Sequence, residues 1–254
     1  AVTETTLVIG APHSDAPTKD SGSVYVYTRK GEHWILQTKL TAQDGAAGDL
    51  FGISLAIDKN TILVGADLND EKAENAGAVY VFSTDGEKWH QQAKLTASDA
   101  GNTDIFGVRV AISGDTALIS ARRDDDDNLG VDAGSAYIFE RTGQHWRQKT
   151  KLLAPDGKAD DRFARGVALE KNTAIISAMH HDAANKDAGA VYVYKKHNGK
   201  WSLSSKILAD DSKVGDKLGW NVAFSNGHIV MASPHSNSSG VESGAVYIEH
   251  LTNI

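Results

Sequence analysis

The sequence predicts an all-β chain: a β-propeller of about five four-stranded antiparallel blades, with incomplete first and last blades. Three observations point there. Ser/Ala-Gly ahead of an apolar-aromatic run recurs at Gly22, Gly77, Gly134, Gly189 and Gly244, at intervals of 55, 57, 55 and 55 residues. Trp34, Trp89, Trp146 and Trp201 keep the same intervals, and so do Phe51, Phe106, Phe163 and Leu218. No stretch carries the apolar period of a helix. A fixed interval of this size means one supersecondary unit used again and again.

The second unit shows the elements in order. Phe51-Gly52-Ile53-Ser54-Leu55-Ala56-Ile57 alternates as a strand does, and Asp58-Lys59-Asn60 turns the chain. Thr61-Ile62-Leu63-Val64-Gly65-Ala66 is a nearly continuous apolar strand, followed by a polar stretch and a third strand, Ala78-Val79-Tyr80-Val81-Phe82. Asp85-Gly86 is a hairpin-turn pair. It feeds a fourth strand with Trp89, and Lys30-Gly31, Thr142-Gly143 and Asn198-Gly199 do the same elsewhere. Four short antiparallel strands per unit make a propeller blade. The whole chain, 1–254, is expected to be one domain, with repeats at 1–48, 49–103, 104–160, 161–215 and 216–254. The first repeat lacks its inner strand and the last its outer one, leaving 18 strands where five complete blades need 20. Unpaired strand edges predict self-association.

The bulk properties exclude some roles. With 41% hydrophobic residues the chain can fill a core, and a net charge of -7 disfavours nucleic acid as a partner. No apolar run is long enough to insert in a membrane. There is no cysteine, so disulfides and Cys-ligated zinc are excluded. The chain opens at Ala1 without a signal-peptide pattern, which points to a processed or excised chain.

Every long connection joins the second strand to the third: 12–21, 67–76, 122–133, 179–188 and 234–243. These loops should share a face, and binding groups concentrate on loops held by a rigid scaffold. Asp15, Asp70, Asp125 and Asp182 recur in them, as do Asp20, Asn75, Asp132, Asp187 and Glu242, in positions that suit bonding to their own turns. The densest oxygen cluster is Asp124, Asp125, Asp126 and Asp127 beside Arg122 and Arg123, the one candidate for a calcium ion. His13, His180, His181 and His235 sit on the same loops, where solvated histidines are expected. If they converge they could bond a sugar hydroxyl or a carboxylate. A second acid pair, always five apart, is Asp44/Asp49, Asp99/Asp104, Asp156/Asp161 and Asp211/Asp216. Four equivalent copies suit structural support better than catalysis. Trp220 stands in a first strand where other units have Ile53, Val108 and Arg165, next to the set Ser54, Arg109, Gly166 and Asn221. A Trp with Arg and Asn near a channel mouth would suit a sugar ring or a peptide anchor.

The combination Asp-x-Phe-Gly (Asp49-Leu50-Phe51-Gly52, Asp104-Ile105-Phe106-Gly107), Gly10-Ala11-Pro12 and Gly-x-Val-Tyr-Val resembles the FG-GAP repeat of integrin α-subunit propellers. It is most similar to bacterial FG-GAP repeat proteins, most of them predicted to be exported. The Gly-Ala-Pro position is replaced by Ser120-Ala121-Arg122 and Ser177-Ala178-Met179, among others. In integrin-like propellers some loops between strands one and two hold calcium. The matching turns here are too short and oxygen-poor for about six ligands, so that site is not carried over. The resemblance implies a non-catalytic binding or adhesion module for a protein or glycan, extracellular, at the cell surface or in the periplasm. A multivalent lectin is the alternative, and a piece of a larger propeller assembly a third reading. No nucleophile elbow, phosphate loop or dinucleotide fingerprint is visible.

Overall fold

The computed structural model describes residues 1–182, 185–237, 240 and 243–251, so Glu242 and parts of the last two long loops lie outside the described residues. The chain forms five antiparallel sheets. The first holds β1 (Thr6–Ala11), β2 (Ser23–Lys30) and β3 (His33–Leu40). The second holds β4 (Ser54–Asp58), β5 (Thr61–Ala66), β6 (Ala78–Thr84) and β7 (Trp89–Leu95). The third is β8 (Val110–Ser113), β9 (Thr116–Ala121), β10 (Ser135–Thr142) and β11 (His145–Leu152). The fourth is β12 (Phe163–Glu170), β13 (Thr173–Ala178), β14 (Ala190–His197) and β15 (Lys200–Ile207). The fifth keeps β16 (Asn221–Ser225), β17 (His228–Ser233) and β18 (Ala245–His250). Each is a meander in chain order, the blade of a β-propeller, and the outer two have three strands each. No helix occurs among the described residues, and none is therefore long and apolar enough to cross a membrane.

The chain divides into two compact units, 1–119 with 139–149, and 120–138 with 150–254. In both, the recurring Phe is the plug between consecutive sheets. Phe51 is fully buried, edge-on to Tyr80 at 5.3 Å and Phe82 at 5.9 Å. In the second unit Phe163 meets Tyr192 the same way at 5.4 Å. Edge-to-face contact matches the rings' quadrupoles and adds to their burial. The expected strand from Phe51 to Ile57 begins only at Ser54. Phe51 instead makes a parallel bridge to Gly22, its N–H donating to the Ser21 carbonyl at 3.1 Å. A Cβ on Gly22 would lie 2.1 Å from the Phe51 carbonyl oxygen, which explains why a glycine recurs there.

Antiparallel order places the long loops and the inter-sheet connections at the same end of each sheet. They are laced together by backbone bonds, Gly48 N–H to Lys19 C=O at 3.0 Å in one unit and Gly215 N–H to Lys186 C=O at 2.9 Å in the other. The loop acids close their own loops. Asp15, Asp70, Asp125 and Asp182 accept the N–H of Asp20, Asn75, Asp132 and Asp187 at 2.7–2.9 Å.

Candidate functional site

Three repeat-equivalent columns line the loop end of each sheet, and their chemistry changes along the chain. The residue between the recurring Asp and Phe is Leu50, Ile105, Arg162 and Lys217. Each adopts a left-handed backbone, φ 57, 54, 52 and 56°, an arrangement that costs an L-residue energy and is held by the bridge beside it. Three residues on stand Ile53, Val108, Arg165 and Trp220, and the second loop position holds Leu68, Arg123, His180 and His235. Leu50, Ile53 and Leu68 are thus an apolar trio in the second sheet. In the fourth and fifth sheets the same places carry Arg162, Arg165, His180 and Lys217, Trp220, His235.

These last residues meet. The Arg165 guanidinium lies 4.6 Å from the centre of the Trp220 indole and the Lys217 ammonium 6.0 Å from it. The His235 ring stands edge-on to the indole at 5.7 Å. All four are half-buried. His180 belongs to the same patch: burial holds its imidazole below the usual histidine range, and the charges of Lys217 and Arg162 lower it further. Arg162 reaches Asp132 at 3.7 Å, and its Nε is buried without a hydrogen-bond acceptor among the described residues. Three basic groups around one indole, with His180 electrostatically coupled to Lys217 and Arg162, are a local reversal in a chain of net charge -7.

Other sequence-nominated residues are used elsewhere. Trp220 itself lies in the bend just before β16, not in the strand, with exposed Asn221 as the strand's first residue. Asn221 bonds the neighbouring Val222 N–H at 3.1 Å. Arg109 folds back on the Val108 carbonyl at 2.8 Å. His13 is exposed and paired with Asp20 at 3.2 Å. Arg122 and Arg123 are half-buried at the start of their loop.

The acidic run does not form a cage. Asp124 is buried and accepts from Ser135 Oγ, from Tyr137 Oη at 3.0 Å and from Lys151 Nζ at 2.7 Å. Asp125 holds the Asp132 N–H, Asp126 takes those of Asn128 and Leu129 at 2.9 and 3.1 Å, and Asp127 is exposed. Among the described residues no group of three or more His, Asp or Glu is placed to hold a metal.

His181 departs from the expectation of a solvated loop histidine. It is 4% exposed because Asp161 and Lys206 clamp it. Its Nε2 accepts from Lys206 Nζ at 2.6 Å, so the proton sits on Nδ1 and donates to Asp161 Oδ2 at 2.8 Å. In the second sheet Asn69 occupies the same position and donates to Asp49 at 2.9 Å. In the third sheet a carboxylate, Asp124, holds that position and pairs with Lys151. In two of the pairs the other acid crosses between sheets. Asp44 reaches Lys94 and Asp156 reaches Lys206, both at 2.6 Å. These lysines also lie over Tyr80 and Tyr192, at 5.2 and 5.3 Å.

The four repeats at residues 34–82, 89–139, 146–194 and 201–248 match the FG-GAP repeat family model. The chain belongs to the FG-GAP repeat family. The FG-GAP unit is out of phase with the sheets, since each match joins the outer strand of one sheet to the first three of the next. The recurring Trp shows why this is one unit. Trp89 Nε1 donates to Gln37 of the preceding outer strand at 3.2 Å, and Trp146 Nε1 to Gln92 at 2.9 Å. FG-GAP repeats occur in binding and adhesion-type propellers and typically in extracellular proteins. No curated protein matches the chain.

Arg162 and Lys217 are the site residues that the sequence reading missed. Their signal was present: lining up the four Asp-x-Phe/Leu motifs and asking where apolar becomes basic singles them out.

Proposed function

We propose that this FG-GAP propeller is a non-catalytic binding module working outside the cytoplasm, which recognises a glycan or protein through the loop end of its sheets. One observation carries the reading: Arg165, Lys217 and His235 converge on the Trp220 indole at the loop end of the last two sheets. Trp and Arg are the side chains that most often anchor interfaces. Against catalysis, the carboxylates with lowered pKa are already engaged: Asp44, Glu71 and Asp156 by lysines, and Asp85 by the backbone N–H groups of its own turn. The test is a screen of immobilised glycans and secreted proteins with the wild-type chain and Trp220→Ala. Binding lost in the variant supports the reading, and no binding to any of them sinks it.

A second reading, an assembly role, has its own observation. Ile175, Val191 and Val193 of the fourth sheet are fully buried under Leu218, Val222 and Met231 of the fifth. Their repeat equivalents in the fifth sheet, Val230, Val246 and Ile248, are 37, 66 and 68% exposed and lie on one face. That face has the chemistry to receive a further sheet of the same family. Light scattering of the wild type and of Val246→Lys/Ile248→Lys decides. A monomer at high concentration argues against self-assembly by this face.

A further inference from the structure

We propose that the open edge of the fifth sheet, at Tyr247 and Asp211, is a docking site for an extended peptide strand of a partner protein, which lays a lysine over Tyr247. The inference goes beyond the loop-end reading above, because it concerns the edge strand of the last sheet and a peptide ligand.

The repeats show what such an edge takes. Tyr25, Tyr80, Tyr137, Tyr192 and Tyr247 hold equivalent places in β2, β6, β10, β14 and β18. In the first four sheets a lysine lies over the ring: Lys39, Lys94, Lys151 and Lys206, at 5.6, 5.2, 5.6 and 5.3 Å. Lys39, Lys94 and Lys206 stand directly opposite their tyrosines in the outer strand, each followed by a Leu or Ile opposite a valine. Lys94 and Lys206 also close on the acid of the preceding connection, Asp44 and Asp156, at 2.6 Å. The Tyr192 hydroxyl donates to the same Asp156 at 2.9 Å. In the fifth sheet the matching pair is already joined, Tyr247 Oη donating to Asp211 Oδ1 at 2.8 Å. Among the described residues β18 pairs only with β17, so its other edge is open.

The chemistry at this edge suits a lysine. A cavity of about 280 Å³ is lined by Leu218, Met231 and Tyr247 together with Asp211 and Glu249. Its apolar walls match the methylene stem and its carboxylates the ammonium. Asp216 adds negative charge at Tyr247; it is 3% exposed, and its Oδ1 has no hydrogen-bond partner among the described residues. A buried carboxylate left without a cation is costly, so one arriving nearby is favoured. The backbone of an open edge supplies ladder bonds, which give a docked strand affinity, while the side-chain pocket gives it specificity. A second copy is a poor donor, because its outer strands β3, β7, β11 and β15 are all held in their own sheets. The strand therefore comes from another protein.

The experiment uses the whole chain and a labelled peptide with the sequence Lys200–Ile207, KWSLSSKI, followed by fluorescence anisotropy. Its twin carries Lys206→Met, and cadaverine serves as a free amine. The lysine peptide should bind at least about tenfold tighter than its twin, the scale of one charge-assisted hydrogen bond. Raising the salt should weaken it. Asp211→Asn, at an exposed position, should lose most of the preference for the lysine peptide. The twin peptide needs no altered protein, so a folding failure cannot imitate the effect. Equal binding of the two peptides would overturn the site, and so would binding of neither. Cadaverine competing as well as the peptide would mean an amine pocket without strand docking. A dimer that Asp211→Asn dissolves would put a second copy on the edge, and either result would overturn the proposal. None of these outcomes touches the glycan and protein screen, which reads the loop end.

Discussion

The Arg165 guanidinium stands 4.6 Å from the centre of the Trp220 indole, and the two residues hold the same place in consecutive repeats. Where other repeats put Ile53 or Val108, a cation and an aromatic face one another across the fourth and fifth sheets. The contact therefore ties two blades at the loop end and sets the orientation of both groups. Arg165→Met should lower stability by only about 0.5–1 kcal/mol, the size of a partly exposed cation–π pair. Ligand binding should fall much further. Urea unfolding and a binding titration on the same sample check this, and a stability loss without a binding loss would assign the pair to packing alone.

Acid should loosen the inter-sheet ties. Partial burial alone would raise Asp44 and Asp156, but hydrogen bonds and charge from Lys94 and Lys206 outweigh it and hold both carboxyls below the usual range. Glu71 is lowered chiefly by its bond to Lys94. Folded values below unfolded ones mean that the unfolded chain takes up more protons in acid. The stabilisation is thus complete above about pH 5 and lost as pH falls through the lowered values. Lys94→Met should weaken the protein at pH 7 and flatten this acid dependence, because Asp44 and Glu71 lose the partner that lowers them. Urea midpoints between neutral and acid pH measure it, and parallel curves for the two proteins would refute the assignment.

The repeat interval made most of this fold legible. The strand count, the hairpin turns and the position of every long loop follow from the spacing of Gly22, Trp34 and Phe51 and their copies. The loop acids were legible as turn-closing groups because they bond within a few residues. What the sequence hid depends on partners far along the chain. His181 meets Lys206 25 residues away, and Lys94 meets Asp44 at a separation of 50. The run at Asp124 suggested a cation loop because density of oxygens says nothing about direction, and Lys151 draws the first of them inward. Arg162 and Lys217 were masked by sitting inside a motif read for its Phe.

His180 should couple ligand binding to protons. It faces Lys217, Arg162 and Asp187, and its ring Nδ1 lies 3.2 Å from the Asp160 carbonyl. Burial and the two cations hold it below the usual range, so it is neutral at pH 7. A bound carboxylate favours the protonated form and raises it. Affinity for a ligand carrying a carboxylate should therefore increase as pH falls through the bound-state value, and should level off below the free-state one. Calorimetry in two buffers of different ionisation enthalpy should detect proton uptake that His180→Gln removes. Identical heats in both buffers would contradict it.

A hydroxyl can be supplied from either of two strands, and this predicts a compensating pair. In the second sheet Ser54 Oγ donates to the Gly107 carbonyl at 2.6 Å, with Gly65 opposite it in register. In the fourth sheet the roles are exchanged. Ser177, in the Gly65 place, donates to the Gly219 carbonyl at 2.5 Å, with Gly166 in the Ser54 place. In the second sheet two side chains do not fit. A Cβ on Gly65 would lie 2.1 Å from the Gly107 oxygen and 2.3 Å from Ser54 Oγ. Gly65→Ser should accordingly cost about 1–3 kcal/mol by overpacking. Adding Ser54→Gly should restore only part of it, because it removes the 2.3 Å contact but leaves the new Cβ against the Gly107 carbonyl oxygen. Urea unfolding of the two single variants and the double one gives the coupling. Simple additivity would mean that the exchange between the sheets is incidental and that each glycine is needed for its own backbone approach.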